Sequence, residues 1–308
     1  MVERRATMKD VARASGVSPA TVSFVLNETP GQTIPAETRD RVRAAATALG
    51  YQPHGLARAL REGRSRVALL DIGQLRGGRA LEGFIRGLND ELQKHGYGLL
   101  VYPGLSTDPG HAELVRNLRP LAEIDLAELY ADRSDVDDGG WIDGLAAHTM
   151  TQLAHLVERG HTSIAFAVPG EDADALVGLR LRFAVEAGRK LGVKPVTAVV
   201  VPEPPDDARR AVAQLRVENP AITAIASFDD EIALRVLGSM SDLALSPPAD
   251  LAVIGFDDSR VGAIHRPPLT TVRVDGGSFG RRAARRILAL PEEEPTVASA
   301  VVVIRDTT

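Results

Sequence analysis

The sequence contains no cysteine among its 308 residues. A disulfide framework, a thiol nucleophile and a cysteine-ligated zinc or iron–sulfur site are therefore excluded. No apolar run approaches the roughly 18 residues that cross a bilayer, and the N-terminus lacks the apolar stretch of a secretory signal. We therefore expect a cytoplasmic protein with no membrane partner.

The composition that is present is typical of a soluble globular protein. Hydrophobic residues make up 44% of the chain and charged residues 25%. At roughly 150 residues per domain, the length predicts about two domains with enough chain for a sizeable core. Packing must hold these domains together.

Charge is divided unequally along the chain. Residues 1–66 carry 11 Lys and Arg against 6 Asp and Glu, while the remaining residues carry 25 against 35. The overall charge of -5 therefore conceals a basic N-terminal segment. A protein that neutralises phosphates needs positive charge at the contact itself rather than over the whole chain. The basic N-terminal segment is therefore a candidate polyanion-binding module. A solvated basic face without a partner explains the charge equally well.

Two short helices are predicted to meet at a glycine turn near the N-terminus. Thr7 and Asp10 stand at the spacing of a capping box, and the first helix is expected to end at Gly16. Ser18 provides an N-cap oxygen for a second helix, and Pro19 suits its first position because the missing N–H is not needed there.

The second helix presents two different faces. Its apolar face comprises Val22, Val25 and Leu26. Its opposite face is small, polar and aromatic, and comprises Ala20, Ser23, Phe24 and Asn27. A third helix is predicted after Pro35, ending at Gly50. Three short helices with a glycine turn between the first two predict a helix-turn-helix domain.

Three ordered blocks carry a family resemblance. They are MKDVARASGVSPATVSFVLN at 8–27, IPAETRDRVRAAATALGYQP at 34–53 and GLARAL at 55–60. Together they closely resemble the headpiece and hinge of the LacI/GalR family of bacterial transcription regulators. The resemblance implies a DNA-binding headpiece over residues 1–50, a hinge over 51–66 and a two-lobed domain over 67–308.

The resemblance also implies which residues contact double-stranded DNA. The helix from Ser18 to Asn27 would enter the major groove, with Ala20, Thr21 and Ser23 near bases or phosphates. Hinges of this family become helical in pairs on the operator, with contacts here from Ala57 and Leu60. The leucine matching Leu60 wedges into the minor groove and kinks the DNA. Without DNA, this hinge would be an ordinary solvated linker.

Phe24 departs from the family pattern. Family members often have an arginine at this position, which can donate two hydrogen bonds to guanine. Phenylalanine cannot, so one interpretation is that its exposed ring packs on thymine methyl groups. The alternative is that the ring folds back over the turn onto its own domain.

After Val67 the chain alternates strand-like apolar runs with helical segments, which predicts an α/β domain with parallel sheets. Strands are expected over residues 67–72, 98–102, 163–168, 198–201, 221–227 and 250–256. Helices are expected over residues 79–95, 178–191, 206–218 and 230–239, with another starting near residue 144. The family's effector half looks like the two-lobed periplasmic sugar-binding proteins, and block 247–275 resembles it specifically.

Four positions match the family's effector-binding residues: Asp71, Arg180, Asp229 and Asp257. Carboxylates accept pairs of hydroxyl hydrogens, and arginine offers a planar fork of donors, which suits a sugar or a nucleoside-like ligand. Asp229 and Asp257 each follow a strand, so the alternative is that they cap the next helix. Asp229 stands where the family commonly has asparagine, and Arg182 where it has glycine.

The first lobe is expected to be shortened. Only 41 residues, 103–143, separate the second strand from the next long helix. They contain one plausible helix over 111–119 and one strand-like piece over 121–126, little more than one βαβ unit. Relative to the family pattern a strand and its helix are missing, which would leave one wall of the ligand cleft incomplete.

No enzyme, cofactor or metal motif is found. The sequence has no dinucleotide-binding glycine pattern after a strand, no P-loop, no metalloprotease motif and no nucleophile elbow. His148, His155 and His161 could share a metal, but no carboxylate completes the set, so solvated or capping roles are favoured.

These observations predict a homodimeric regulator that acts as a repressor and binds a near-palindromic operator. A sugar-like effector would act by changing the angle between the lobes. The alternatives are the same DNA-binding role without a small-molecule response and, remotely, an enzyme using the α/β cleft.

Overall fold

A computed structural model describes residues 6–26, 31–51, 65–73, 78–104, 109–126, 141–170, 175–291 and 300–308. Asn27, Ala57 and Leu60, three of the predicted DNA contacts, lie outside these ranges. The chain divides into two compact units, Met1–Arg66 and Val67–Thr308. No helix in the described ranges has the length and apolarity needed to cross a membrane.

The N-terminal unit contains the three predicted helices: α1 (Met8–Ser15), α2 (Pro19–Leu26) and α3 (Ala36–Ala48). The capping box is confirmed, since Thr7 N–H donates to Asp10 at 2.9 Å and the Thr7 hydroxyl accepts from Asp10 N–H. Gly16 ends α1 at φ 67°, a left-handed conformation that favours glycine. The helices enclose a small core, formed by Val11, Ala12, Val22, Val25, Val42, Ala46 and Tyr51.

The first lobe of the second unit is a three-stranded parallel sheet. Its strands are β1 (Val67–Asp71), β2 (Gly98–Tyr102) and β3 (Glu123–Asp125), in the order β2-β1-β3. The connecting helices are α4 (Arg79–Lys94) and α5 (Pro109–Leu118). The described residues between 103 and 143 contain α5, β3 and the start of the next long helix, and Leu126 directly after β3 is also helical. The expected loss of one strand and its helix stays a prediction.

The second lobe is a four-stranded parallel sheet in the order β5-β4-β6-β7. Its strands are β4 (Ile164–Val168), β5 (Thr197–Val200), β6 (Ala224–Ser227) and β7 (Ala252–Ile254). Its helices are α6 (Trp141–Glu158), α7 (Ala175–Leu191), α8 (Pro205–Glu218) and α9 (Asp230–Asp242). The parallel α/β prediction is confirmed, with β6 and β7 shorter than expected.

Four later elements were not predicted individually. They are α10 (Arg260–Ile264), β8 (Thr271–Arg273), α11 (Gly276–Ile287) and β9 (Val301–Val303). β8 and β9 pair antiparallel, with Val272 opposite Val302, so the domain is not built from parallel sheets alone. Two three-residue strands are too short for the sequence to show a periodic pattern.

Helix α11 packs on α4 with almost no space between the two backbones. A Cβ added to Gly280 would lie 2.0 Å from the Phe84 carbonyl oxygen, and one added to Gly276 would lie 1.9 Å from that of Ala80. The buried Glu91 carboxylate also accepts from Arg285 at 2.7 Å. Glycine is required here because any side chain would push the two helices apart.

We expect Gly280→Ala to lower the free energy of unfolding by about 1–3 kcal/mol, because its methyl group overpacks a backbone contact. Gly238→Ala is the matched control, since this exposed helical glycine has nothing within 4 Å of an added Cβ. The control should be neutral or stabilise by up to about 1 kcal/mol. Urea unfolding of both variants measures the difference, and equal effects would contradict the packing argument.

Candidate DNA-reading face and effector cleft

The local sequence fixes the start of α2. Thr21 N–H donates to Ser18 Oγ at 3.1 Å, and the two hydroxyl oxygens lie 2.9 Å apart. Ser18 is thus occupied as a helix cap, while Ala20 beside it is exposed. The helix begins as predicted, and its first turn presents small side chains to the surface of the N-terminal unit.

Phe24 lies half-buried on the same helix. It is absent from the hydrophobic side chains that form or flank the headpiece core in the described residues, whereas its neighbours Val25 and Leu26 belong to that group. The ring is thus partly covered at the surface of the headpiece, and its contact with DNA stays a prediction. Ser23 and Thr21 are also half-buried.

Arg180 is the most unusual side chain in the second lobe. It is 2% exposed, and its guanidinium carbon lies 3.5 Å from the centre of the Phe256 ring. Phe166 and Phe228 each lie 5.8 Å away, so three aromatic rings surround the charge. Burial is the main reason that the pKa of Arg180 falls to about 9, so the group remains a cation at neutral pH.

Gln152 on α6 links Arg180 to the sheet. Its amide nitrogen donates to the carbonyls of Ser227 and Gly255, both at 2.9 Å, at the carboxyl ends of β6 and β7. Its amide oxygen accepts from Arg180 at 3.1 Å. Arg180 Nε has no hydrogen-bond partner, and no carboxylate in the described residues lies within ion-pair distance of this side chain. One donor of this buried guanidinium therefore remains without a protein acceptor.

Asp229 is a helix cap, as the alternative interpretation held. Its Oδ1 accepts from Ile232 N–H at 2.8 Å at the start of α9. Burial raises its pKa, while Arg180 nearby lowers it. The next residue, Asp230, is also buried and accepts from Ser259 N–H and the Thr271 hydroxyl, each at 2.5 Å. These contacts tie α9 to the loop after β7 and to strand β8.

Asp257 does not cap the next helix, which is capped by Ser259 instead. Its Oδ1 accepts from Ala80 N–H at 2.5 Å, at the N-terminus of α4 in the first lobe. Burial is the main reason that its pKa rises to about 7, with further contributions from Asp230 and Asp229. The expectation that Asp257 would cap the helix after its strand is wrong, because it caps a helix from the other lobe.

Asp71 is fully buried at the end of β1. Its Oδ1 accepts from Gly73 N–H at 2.8 Å, and its Oδ2 lies 3.3 Å from His111 Nδ1. The other nitrogen of His111 lies 2.6 Å from Glu123 Oε1. Burial raises the pKa of Asp71, and Asp125 adds to the effect. Asp71 therefore belongs to a cluster inside the first lobe.

The structure brings three of the four predicted effector residues together. Arg180, Asp229 and Asp257 interact electrostatically, whereas the charges that act on Asp71 come from the first-lobe cluster. Sequence reasoning missed Gln152, Phe256, Asp230 and His111. Phe256 and Asp230 are sequence neighbours of predicted site residues and could have been found. Gln152 and His111 have no neighbouring motif in the sequence that would predict a place in the site.

The three histidines do not share a site. His148 and His155 are buried, so a solvated role is wrong for both. His148 meets the Phe279 ring edge-on at 5.7 Å, and His155 lies 2.9 Å from the Thr308 hydroxyl. His161 bonds to Thr223 at 2.9 Å. Within the described ranges, no cluster of metal-ligating side chains is found.

Comparison with known proteins identifies both units. Residues 7–54 match the family model described as bacterial regulatory proteins, lacI family, and residues 153–308 match the model of a periplasmic binding protein-like domain. The sequence is 27% identical to the transcriptional regulator GalR of Escherichia coli, covering 94% of this chain and 90% of GalR. The chain belongs to the LacI/GalR family of bacterial transcription regulators.

Other relatives of this LacI/GalR regulator agree. It is 28% identical to the transcriptional repressor PurR of Proteus mirabilis, covering 92% of this chain and 89% of PurR. The Lac repressor dimer bound to operator and the anti-inducer ONPF shares the fold, with a TM-score of 0.72, 22% identity and 99% coverage of both chains. This LacI/GalR member is a DNA-binding transcription regulator, and these relatives are regulators rather than enzymes.

The buried carboxyl of Asp257 predicts a pH-dependent stability. Its pKa rises from 3.8 to about 7 on folding, so its contribution is full below about pH 4 and is lost as the pH rises through about 7. Asp257→Asn removes the titration. The melting temperature of this variant relative to the parent should therefore increase between pH 5 and pH 7 and level off above pH 8.

Asp258→Asn is the matched control. Ion pairs with Arg305 and Arg273 lower the pKa of Asp258, so its contribution is already complete above about pH 5 and is lost only in more acidic solution. Thermal melts at pH 5, 6, 7 and 8 should show a constant penalty for this variant. A constant offset for Asp257→Asn as well would refute the assignment.

Proposed function

We propose that this regulator is a repressor that acts in the cytoplasm and binds a near-palindromic operator as a homodimer. The observation that carries the proposal is the face of α2, where the exposed Ala20 and the half-buried Thr21, Ser23 and Phe24 stand on a helix capped by Ser18. Small side chains let a helix backbone approach base edges, and Phe24 offers an apolar surface to thymine methyl groups.

The dimer follows from the size of the reading element. Helix α2 has eight residues, and a recognition helix this short contacts few bases. Two copies related by a two-fold axis double the number of bases read and require an operator with matching symmetry. The relatives named as transcriptional repressors support the direction of regulation.

Selection of DNA fragments by the purified protein tests this proposal. The parent should enrich a near-palindrome, and log affinity should fall linearly with log salt by roughly 0.9 for each phosphate contacted. Phe24→Arg should shift the preference toward guanine at one position in each half-site, because arginine donates two hydrogen bonds to O6 and N7. No enriched sequence from the parent would overturn the function.

Ala44→Arg separates base reading from added charge. Ala44 is exposed on α3, so this variant adds the same positive charge to the headpiece away from α2. It should strengthen binding to all sequences without changing the preferred base. If Phe24→Arg behaves in the same way, Phe24 does not face the bases.

We further propose that the cleft binds small sugars weakly or not at all. Asp229 caps its own helix, Asp257 caps α4 and Asp71 accepts from Gly73 N–H, so one oxygen of each predicted carboxylate already has a protein donor. A sugar would have to displace these contacts to obtain hydrogen bonds of its own. The expected shortening of the first lobe would act in the same direction.

A thermal-shift screen with sugars, sugar phosphates and nucleosides tests the effector proposal, because a ligand that binds only the folded protein must raise its melting temperature. We expect no sugar to do so. A sugar hit that is lost in Arg180→Ala and kept in Arg182→Ala would overturn the proposal. Arg182 is the control because it is exposed on the same helix, two residues away.

A further inference from the structure

The N-terminus of α4 is capped by a residue from the other lobe. Its own N-cap residue is Gly78, which has no side chain to accept a hydrogen bond. Asp257 supplies the missing acceptor from a position 177 residues away, through the 2.5 Å bond from Ala80 N–H. A carboxylate is favoured at this end of a helix by the exposed N–H groups and the helix dipole.

A second contact crosses between the lobes beside the first. The Arg79 guanidinium donates to the Asp258 carbonyl at 2.8 Å and lies 3.4 Å from its Oδ2. Asp258 is itself held by Arg273 at 2.8 Å and by Arg305 at 2.5 Å. The buried carboxylate of Asp258 therefore joins three elements. They are helix α4 of the first lobe, the loop after β7 and strand β8.

The loop that carries these carboxylates has an unusual backbone. Asp257 has φ 106° and Asp258 has φ 51°, both in the region that favours glycine. Asp257 N–H donates to the carbonyl of Val272 on β8 at 2.7 Å, which fixes the loop against this strand. Such a conformation persists only when its surroundings hold it, and the contacts to α4 are part of that support.

The fit around Gly78 is too close for any other residue. A Cβ at this position would lie 1.6 Å from Asp257 Oδ2. The glycine that leaves α4 without a cap of its own also makes room for the carboxylate that replaces it. By family resemblance Asp257 would face the effector, but here its oxygens press on the opposite lobe.

We propose that Asp257, Asp258 and Arg79 form an internal latch that closes the two lobes on each other without a ligand. The proposal deepens the effector part of the proposed function and rests on it for its regulatory meaning. The chain's own carboxylate occupies the N-terminus of α4 and joins the two lobes there. The lobe angle is then set by the sequence rather than by a metabolite.

A distance measurement between the lobes tests the latch. Because the chain has no cysteine, Glu113→Cys on α5 and Glu218→Cys on α8 can carry two spin labels at unique sites. The full-length labelled protein is mixed with excess unlabelled protein so that each dimer carries one labelled chain. Pulsed electron resonance, without DNA or ligand, should give one narrow distance distribution.

Disrupting the latch from either lobe should broaden that distribution or shift it to a new distance. Gly78→Ala disrupts the latch from the first lobe and Asp257→Ala from the second. Because both remove the same contact, the double variant should change the distance between the labels no more than the larger of the two single changes. Each should also raise hydrogen exchange at Ala80 N–H at least tenfold. Arg79→Ala, at a side chain 53% exposed, provides a milder variant should the others fail to fold.

Arg86→Ala is the control, since Arg86 is exposed on the same helix and should leave the distance unchanged. Faster exchange at Ala80 with an unchanged distance would reduce Asp257 to a helix cap and overturn the latch. A parent distribution as broad as that of the variants would do the same. Failure of the DNA-binding proposal would appear separately, as a parent protein that selects no operator.

Discussion

The contact between Asp257 and the first turn of α4 is the interaction on which the arrangement of the two lobes depends. An uncapped helix N-terminus presents several backbone N–H groups without partners, and leaving them buried costs free energy. Gly78 cannot satisfy them, so the carboxylate arrives from the opposite lobe. Asp258 then fixes the same loop through three arginines, Arg79 on α4, Arg273 on β8 and Arg305 after β9.

The buried cation at Arg180 adds a second constraint. A guanidinium with no ion pair among the described residues is held by Gln152, by aromatic faces and by the longer-range field of Asp229 and Asp257. Removing a charge from water is expensive, and such groups persist where nearby opposite charge offsets the cost. Loss of hydration on burial raises the pKa values of Asp229 and Asp257, while the Arg180 cation lowers that of Asp229, so the charges of these groups depend on one another.

The close approach of α4 and α11 gives this charged junction a rigid base. Gly276 and Gly280 bring the two backbones into contact, so the helix that receives Asp257 is itself anchored along its length. The ion pair between the half-buried Arg285 and the buried Glu91 extends the same contact. The three-stranded first-lobe sheet thus has a firmly held helix at the position where the lobes meet.

The amino-acid sequence alone determined the features that depend on neighbouring residues. The capping box at Thr7 and Asp10, the turn at Gly16 and the start of α2 at Pro19 follow from local hydrogen bonding and backbone preference. Alternation of apolar runs and helical segments likewise determined the parallel α/β order. Tertiary structure alone decided which helix Asp257 caps, which group pairs with Asp71 and what surrounds Arg180. Those partners lie far along the chain, and a carboxylate bonds to whichever donors folding brings within reach.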